Sequence, residues 1–256
     1  MSALGFIKDI EYLVSFDKFE DSNSQRRLFL EFFNTQVDKK IRFTKNEICT
    51  LSNMPLKDIF VAKICVMLGI VSIPYVTHQK HIIKNLKFDI TLNKFIPNIN
   101  IPKACFSLKI YNKNKTDLQS AIKLINLIDS TNFDFRLDAR DAFRQYILNK
   151  LLKDQKTRYI NNTHNSISII PTQEEPLMIY PFWEMVGKSN QLIDEHIQKA
   201  VECIKQSDFK QVYLVYPKNE NFEKHIEIKI REFEDNISCR GYVVKIIPYS
   251  LRSILR

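Results

Sequence analysis

Six acidic residues surround a helix and two short strands predicted in the second half of the chain, and such residues could bind Mg²⁺ for nucleic-acid cleavage. They are Asp134, Asp138, Asp141, Glu174, Glu175 and Glu184. Restriction-type nucleases share a core of helix, short strands, helix and strand, with an acid on one strand and Glu-x-Lys or Asp-x-Lys on the next. The strand predicted at 177–180 reads Leu-Met-Ile-Tyr and lacks this motif. We therefore expect no metal-dependent cleavage of DNA. The alternative stays open that folding brings Asp138 close to Glu174 and Glu175 around one Mg²⁺ ion.

Other catalytic patterns are missing from the sequence. The four glycines lie far apart, which excludes a Walker A loop, a GxGxxG turn and a GxSxG nucleophile elbow. His78-x-x-His81 has no cysteine or carboxylate nearby to complete a metal site. The letters Glu227-Ile228-Lys229 fall on a predicted helix, where the two charged side chains would diverge. We predict no cofactor and no metal site.

Positive charge is concentrated in the first two-thirds of the chain. The sequence has 38 Lys and Arg against 29 Asp and Glu, a net charge of +9 and a pI of about 9.2. Residues 25–160 hold the excess, whereas residues 161–256 are nearly neutral. This segregation favours a basic surface that faces an anion, most often DNA or RNA. Basic solvated faces with no partner are the plain alternative.

Residues 25–90 show the order of a winged helix-turn-helix. Helices are predicted over 25–36, 45–51, where Thr44 and Glu47 form a capping box, and 56–68. Two strands, 70–75 and 81–90, would form the wing. With the third helix in a groove, six basic residues would contact phosphates. They are Arg42, Lys45, Lys57, Lys63, Lys80 and Lys84.

Residues 91–160 are predicted to form a basic extension of mixed secondary structure that is mainly helical. A strand is predicted at 104–111, a helix at 118–129, and a second helix at 138–154 with Asp138 as its N-cap. If this second helix begins early, Arg136, Arg140 and Arg144 form a row that could make secondary phosphate contacts. The alternative is that Arg140 and Arg144 pair with neighbouring carboxylates on a solvated face.

Residues 161–256 predict an α/β domain. Strands at 167–170, 177–180, 212–216 and 242–247 alternate with helices at 191–206 and 221–237, which indicates a mostly parallel sheet. Each strand is followed by proline, which stops a strand. Because ligands gather beyond the carboxyl ends of parallel strands, Lys218, Asn219 and Tyr249 are candidate ligand contacts there. Strand termination alone is the simpler interpretation.

The N-terminal residues 1–24 carry apolar side chains at helical spacing and predict an amphipathic helix. We see no secretory signal at this end. Ile59–Val76 contains one charge, but Gly69 and Pro74 interrupt it, so we predict no membrane contact. The five cysteines form no CxxC pair, which is typical of reduced thiols in a cytoplasmic protein.

Together these patterns predict an α/β chain, α+β overall. Residues 1–24 form a helix, 25–90 a basic winged-helix-like domain, 91–160 an extension and 161–256 an α/β domain. The leading hypothesis is nucleic-acid binding, with the last domain used for association with a protein partner or a second copy. One alternative is a divergent restriction-type nuclease or nucleotide-handling enzyme acting in that domain. The other is a scaffold that binds an acidic protein.

Overall fold

The computed structural model describes residues 3–67, 134–153, 158–171, 175–187, 191–230 and 241–255, except positions 8 and 40. The helices are α1 (Ser22–Gln36), α2 (Lys45–Leu51), α3 (Leu56–Met67), α4 (Ala139–Leu152), α5 (Gln191–Gln206) and a 3₁₀ helix (Arg252–Ile254). The strands are β1 (Ala3–Ile7), β2 (Ile10–Tyr12), β3 (Asp134–Asp138), β4 (Arg158–Asn162), β5 (Ile167–Pro171), β6 (Leu177–Pro181), β7 (Gln211–Pro217), β8 (Ile226–Ile228) and β9 (Val243–Tyr249). The wing strands, the strand at 104–111 and the helix at 118–129 lie outside the described residues.

The first three helices form where the sequence predicts them. The capping box of α2 is present: the Glu47 N–H donates to Thr44 Oγ1 at 3.2 Å, and the Thr44 N–H donates to the Glu47 carboxylate at 2.6 Å. Helix α1 begins three residues earlier than predicted because Asp21, not Ser24, is its N-cap and accepts the Ser24 N–H at 2.9 Å. Three helices without a described wing do not establish a winged helix, so that part of the prediction remains unconfirmed.

The N-terminal segment is a β-hairpin, which corrects the helix predicted over residues 1–24. Strand β1 pairs antiparallel with both β2 and β3, giving the sheet order β2–β1–β3. Gly5 permits this close pairing, since a Cβ atom there would lie 1.8 Å from the Phe135 carbonyl oxygen. The apolar residues also fit a strand, because Leu4 and Phe6 are both buried beneath the helices.

The C-terminal sheet is mixed rather than mostly parallel. Its order is β4–β5–β6–β7–β9–β8. Strands β6, β7 and β9 run parallel to one another, as predicted for 212–216 and 242–247, whereas β4–β5, β5–β6 and β8–β9 are antiparallel. Helix α4 precedes the sheet and α5 connects β6 to β7. Between α4 and α5 the chain forms three strands, one more than the two short strands predicted there, because β4 precedes β5 and β6.

Strand β8 corrects part of the helix predicted over 221–237. Ile226–Ile228 pairs antiparallel with β9, and Glu227 faces Lys245 across the pair with 3.3 Å between carboxylate and ammonium. The apolar spacing fits a helix, but the edge of β9 offers backbone hydrogen bonds to a neighbouring strand. This long-range pairing decides the structure, and local propensity does not predict it. Residues 231–240 lie outside the description.

The largest buried core joins the N-terminal helices to the C-terminal sheet. Trp183, which follows β6, contacts Phe16, Phe32 on α1 and Phe143 on α4, with ring centroids 5.1–5.6 Å apart. Rings packed in this geometry add about 0.5–1.5 kcal/mol per pair beyond the burial of their area. The same core holds Leu251 and Ile254 near the C-terminus, so the two ends of the sequence stabilise one another. None of the helices described is both long and apolar enough to cross a membrane.

Candidate functional site

A cleft of about 360 Å³ opens where three segments of the C-terminal half converge. One wall is the start of α4, the second is the loop between β4 and β5, and the third is the segment that follows β6. The lining residues are Asp138, Arg140, Asp141, His164, Asn165, Trp183 and Glu184. Charged and hydrogen-bonding groups from distant parts of the sequence therefore face one volume.

The first wall is fixed by the N-cap of α4. Asp138 ends β3 and its Oδ1 atom accepts the N–H groups of Arg140 and Asp141 at 3.0 and 3.2 Å. This hydrogen bonding and the positive end of the helix dipole compensate the Asp138 charge. The Asp141 carboxylate is ion-paired with the buried guanidinium of Arg144, one helical turn further on.

The second wall is a tight turn at 163–166. The Thr163 hydroxyl contacts the Ser166 hydroxyl at 2.8 Å and accepts the Ser166 N–H at 3.1 Å. Arg144 donates to the Thr163 carbonyl oxygen at 2.7 Å and to the Asn162 side chain, so the turn is tied to α4. These bonds leave the intervening His164 and Asn165 exposed at the cleft.

The third wall begins where Pro181 ends β6. Glu184 reaches towards the ring of His196 on α5, with 3.9 Å between its carboxylate and Nδ1. That Nδ1 atom lies 2.7 Å from the Tyr216 hydroxyl, and the His196 ring stacks on Phe182 with centroids 3.6 Å apart. Burial, followed by the charges of Lys199 and Arg140, lowers the pKa of His196 to about 4. His196 is therefore neutral near pH 7 and does not neutralise Glu184.

These contacts give the three carboxylates different electrostatic environments. Asp138 is held by backbone N–H groups and Asp141 by Arg144, whereas Glu184 has no Lys or Arg partner among the described residues. No group of three His, Cys, Asp or Glu residues in the described ranges is placed to hold a metal ion. The cleft thus offers hydrogen-bond acceptors without forming a metal cage.

Glu175 lies away from this cleft. Its carboxylate bonds the Lys210 ammonium at 2.8 Å, at the end where β6 and β7 begin, whereas Glu184 follows the end of β6. A five-residue strand spans roughly 16 Å. The approach of Asp138 to Glu175 that the sequence left open is therefore absent, and Glu174 lies outside the described residues.

The basic residues predicted on the N-terminal helices are largely occupied with internal contacts. Lys63 is buried, with its Nζ atom 2.8 Å from both the Glu47 carboxylate and the Arg42 carbonyl oxygen. Lys57 pairs with Asp9 at 3.3 Å, and Arg42 donates from Nε to the Val37 carbonyl oxygen at 3.0 Å.

Lys63 cannot reach a phosphate from this position, so we leave it out of any proposed phosphate-binding surface. Lys45 is exposed on α2, and Lys80 and Lys84 lie outside the described residues.

The arginine row predicted around α4 does not form. Arg136 lies on β3, because the helix begins only at Ala139. Arg144 is bound to Asp141, Asn162 and Thr163, so it makes a carboxylate pair as in the alternative, but it is buried rather than on a solvated face. Arg140 is exposed, with its guanidinium 5.3 Å from the Phe182 ring centroid.

The residues predicted beyond the strand ends have structural contacts of their own. Asn219 is buried, donates to the Val186 carbonyl oxygen at 3.2 Å and accepts the Asn221 N–H at 2.9 Å. The Lys218 N–H donates to the Tyr249 carbonyl oxygen at 3.0 Å. Burial raises the pKa of the Tyr249 phenol to about 12.

These contacts favour strand termination as the role of this segment. Pro171, Pro181 and Pro217 end their strands as predicted, whereas Pro248 lies one residue inside β9.

The sequence marks Glu184, Trp183 and His164 as separate candidates, and no local pattern in it places them together. The useful signal was Pro181, which ends β6 and so sends the next residues across the edge of the sheet. The position of the turn at 163–166 cannot be predicted from local sequence, because it depends on hydrogen bonds from Arg144 to residues 18 and 19 positions away.

Fold and site together define an α+β protein with a six-stranded mixed sheet and a polar cleft beside it. No protein family model matches the sequence, and no curated protein is significantly similar to it. A chain from the assembly of Thermococcus gammatolerans McrB AAA+ hexamers with bound McrC is similar in structure, with a TM-score of 0.52 and 8% identity. The match covers 93% of this chain and 74% of that chain. At this identity the likeness concerns the fold alone.

Proposed function

We propose that this protein binds nucleic acid through a lysine-rich stretch of the sequence and associates with a protein partner or a second copy through its C-terminal sheet. The observation that carries the proposal is the distribution of uncompensated positive charge. Positions 68–133 contain nine Lys, no Arg and three Asp, and so supply +6 of the net +9. Such a surplus is the electrostatic signature of phosphate binding.

The structure supports this choice of segment by showing how other cations are used. Lys63, Arg26 and Arg144 each pair with a carboxylate inside the fold, at Glu47, Glu11 and Asp141. These three cations stabilise the described part and are not available to a phosphate backbone. Lys80 and Lys84 belong to the lysine-rich stretch and remain the leading phosphate contacts.

Association with a partner is supported by the fold likeness and by the sheet edges. The neighbouring structure is a chain of an assembly of McrB hexamers with McrC. Here the outer strand β4 exposes Tyr159, which lies directly across from the exposed Ile170 on β5. An apolar pair at a sheet edge is a common site of protein association.

A binding titration at several salt concentrations tests the nucleic-acid proposal. Log affinity for duplex DNA should fall with log salt by roughly 0.9 per phosphate contacted. Reversing Lys80 and Lys84 to Glu should weaken binding to all sequences and flatten this slope. The matched control reverses Lys224 and Lys229, which are exposed and lie outside the lysine-rich stretch. Equal losses in the two double variants, or salt-independent binding, would overturn the proposal.

A second candidate function is metal-dependent cleavage of nucleic acid in the cleft. The observation in its favour is that Asp138 and Glu184 line one cleft of a domain with the restriction-type order of elements. Against it stands the missing Glu-x-Lys motif on β6. Plasmid and single-stranded DNA incubated with Mg²⁺ or Mn²⁺ decide the matter. Cleavage lost in Glu184→Gln but kept in Glu175→Gln would make the nuclease the leading function.

A further inference from the structure

Strand β4 forms one edge of the six-stranded sheet within the described residues. On its inner side it pairs antiparallel with β5. The turn between the two strands is closed by the Thr163 N–H, which donates to the Ser166 carbonyl oxygen at 2.9 Å. Because the direction of hydrogen bonding alternates along an antiparallel strand, the backbone groups of Asn161 and Tyr159 also point towards β5. The N–H and C=O groups of Ile160 therefore point outwards, away from the sheet.

This edge carries few of the features that keep edge strands from pairing. Natural edge strands are commonly protected by lysine, proline or a β-bulge. Strand β4 reads Arg-Tyr-Ile-Asn-Asn, and it pairs with β5 residue for residue over all five positions, without a bulge. Its single charged residue, Arg158, lies at one end of the strand. The backbone of β4 is therefore suited to pairing with another strand.

An exposed apolar patch lies beside this edge. Tyr159 on β4 is 67% exposed, and Ile170, directly across from it on β5, is 47% exposed. Their neighbours Ile160 and Ile169 lie on the opposite face of the sheet and belong to the main core or pack against it. Helix α5 packs on the Tyr159 face further along the sheet, over β6 and β7. The sheet thus ends in an apolar pair that a strand added beside β4 would help to cover.

The sequence of β4 is compatible with a second copy of itself. A two-fold axis at Ile160, the middle residue, overlaps all five residues of both strands and lets the outward groups of the two Ile160 residues bond each other. Asn162 then faces Arg158 of the other copy, so no like charges meet. The two Tyr159 side chains occupy diagonal positions roughly 7–8 Å apart, within reach of each other.

The opposite edge of the sheet is less suited to self-pairing. Full overlap of β8 with a second β8 would place Glu227, whose side chain is 57% exposed, directly across from Glu227 of the other copy. Like charges in this position destabilise a strand pair. Pairing of β4 with β8 of another copy would join unlike surfaces, which gives rings or open filaments rather than a closed dimer.

We propose that the protein forms a two-fold symmetric dimer in which the β4 strands of two copies pair antiparallel about Ile160 and join their sheets. This inference rests on the proposed function and deepens its association part, because it names a second copy as the occupant of the edge. Five residues a side is a smaller contact than the roughly 20–30 residues a side of a standard interface. The dimer should therefore be weak and should dissociate on dilution.

Sedimentation equilibrium of the full-length protein tests the pairing at concentrations from about 5 to about 500 µM. The mass of the wild type should rise from monomer towards dimer. Tyr159→Lys removes the aromatic contact and places two lysines beside the axis, so it should raise the dimer dissociation constant at least about tenfold. Tyr12→Lys, the same substitution at an exposed position on β2 of the other sheet, should leave the constant unchanged. Thermal melts confirm that both variants are folded.

Hydrogen exchange followed by mass spectrometry locates the interface. The outward N–H groups of β4 become hydrogen-bonded in the dimer, so a peptide over 158–162 should exchange more slowly at high protein concentration than at low. A peptide over 226–228, on the opposite edge, should exchange at the same rate in both.

The outcomes separate this inference from the proposed function. A wild type that stays monomeric at every concentration overturns the dimer, and a dimer that Tyr159→Lys leaves intact overturns the β4 pairing. Neither result affects salt-dependent DNA binding. Loss of that salt dependence would overturn the nucleic-acid proposal and leave a concentration-dependent dimer in place.

Discussion

The ammonium group of Lys63 lies 2.8 Å from the carboxylate of Glu47, and this pair joins α3 to α2 beneath the surface. Only 7% of the Lys63 side chain and 22% of the Glu47 side chain are exposed. The Lys63 ammonium also lies 5.0 Å from the Phe43 ring centroid, which adds a cation–π contact. A lysine that the sequence predicts on a DNA-facing surface is therefore part of the packing between two helices.

Replacing Lys63 with Ala should lower the free energy of unfolding by about 3 kcal/mol, because it leaves the Glu47 carboxylate partly buried without its partner. Urea denaturation followed by circular dichroism measures the loss. Lys45→Ala, at an exposed position on the adjacent helix, should change stability by less than about 0.5 kcal/mol. A loss for Lys63→Ala no greater than this control would show that the ion pair contributes nothing.

The Lys63–Glu47 pair should also make the free energy of unfolding fall at acidic pH. Burial would raise the pKa of Glu47, but hydrogen bonds from Lys63 and Thr44 outweigh burial and lower it below the ordinary value of 4.5. A carboxyl with a lower pKa in the folded state stabilises the fold above its unfolded pKa, and this contribution is lost as pH falls through the folded pKa. Below pH 4.5 the wild type should therefore lose more stability than Lys63→Ala. Equal acid-side losses would contradict this account.

Glu11 should be a second stabilising carboxylate. It lies on the inner side of β2, contacts Arg26 at 2.9 Å and accepts the Leu56 N–H at the start of α3. Glu11→Ala removes the side-chain acceptor of the Leu56 N–H and leaves the Arg26 guanidinium with its 3.4 Å bond to the Ser52 carbonyl oxygen, so it should cost about 2–4 kcal/mol in the free energy of unfolding. Glu20→Ala, at an exposed position in the loop between β2 and α1, is the control. A small effect at Glu11 would mean that water replaces the carboxylate at no cost.

The sequence predicted those elements whose local signals agree with their packing. The Thr44–Glu47 capping box, the Asp138 N-cap and the apolar stripe of α5 each predict a helix that forms. The hairpin β1–β2 was missed because its apolar spacing also fits a helix, and only pairing with β3, more than 120 residues away, selects the strand. The acids of the cleft could be named, but their convergence depends on long-range contacts of Arg144 that no local pattern encodes.

Substitution of Arg144 should destabilise the fold, whereas substitution of Arg140 should have little effect on stability. Arg144→Ala removes the bonds that tie α4 to the 163–166 turn and should destabilise the fold by about 3 kcal/mol. It should leave the salt dependence of DNA binding unchanged, because a buried guanidinium contacts no phosphate. Arg140→Ala, at an exposed position, should change stability by less than about 0.5 kcal/mol. A flatter salt slope in folded Arg144→Ala would restore the arginine row as a phosphate contact.

His196 should make the fold sensitive to mild acid. Its imidazole is buried between Phe182 and Tyr216, and burial, with the charges of Lys199 and Arg140, lowers its pKa from 6.5 to about 4. The unfolded chain takes up a proton at this histidine near pH 6.5, whereas the folded chain does so only near pH 4. The neutral histidine therefore stabilises the fold above pH 6.5, and this contribution falls as pH drops towards 4. The loss should reach about 3 kcal/mol.

Two measurements check the His196 prediction. An NMR titration of the imidazole carbon and nitrogen signals, with His196 assigned from the spectrum of His196→Gln, should show a midpoint well below the ordinary value of 6.5. Urea denaturation between pH 7 and pH 4.5 should show falling stability in the wild type. The double variant His196→Phe with Tyr216→Phe keeps the aromatic stack without the titrating group or an unpaired hydroxyl, so its stability should decline less over this range. A His196 midpoint near 6.5, or parallel pH profiles for the two proteins, would contradict the burial argument.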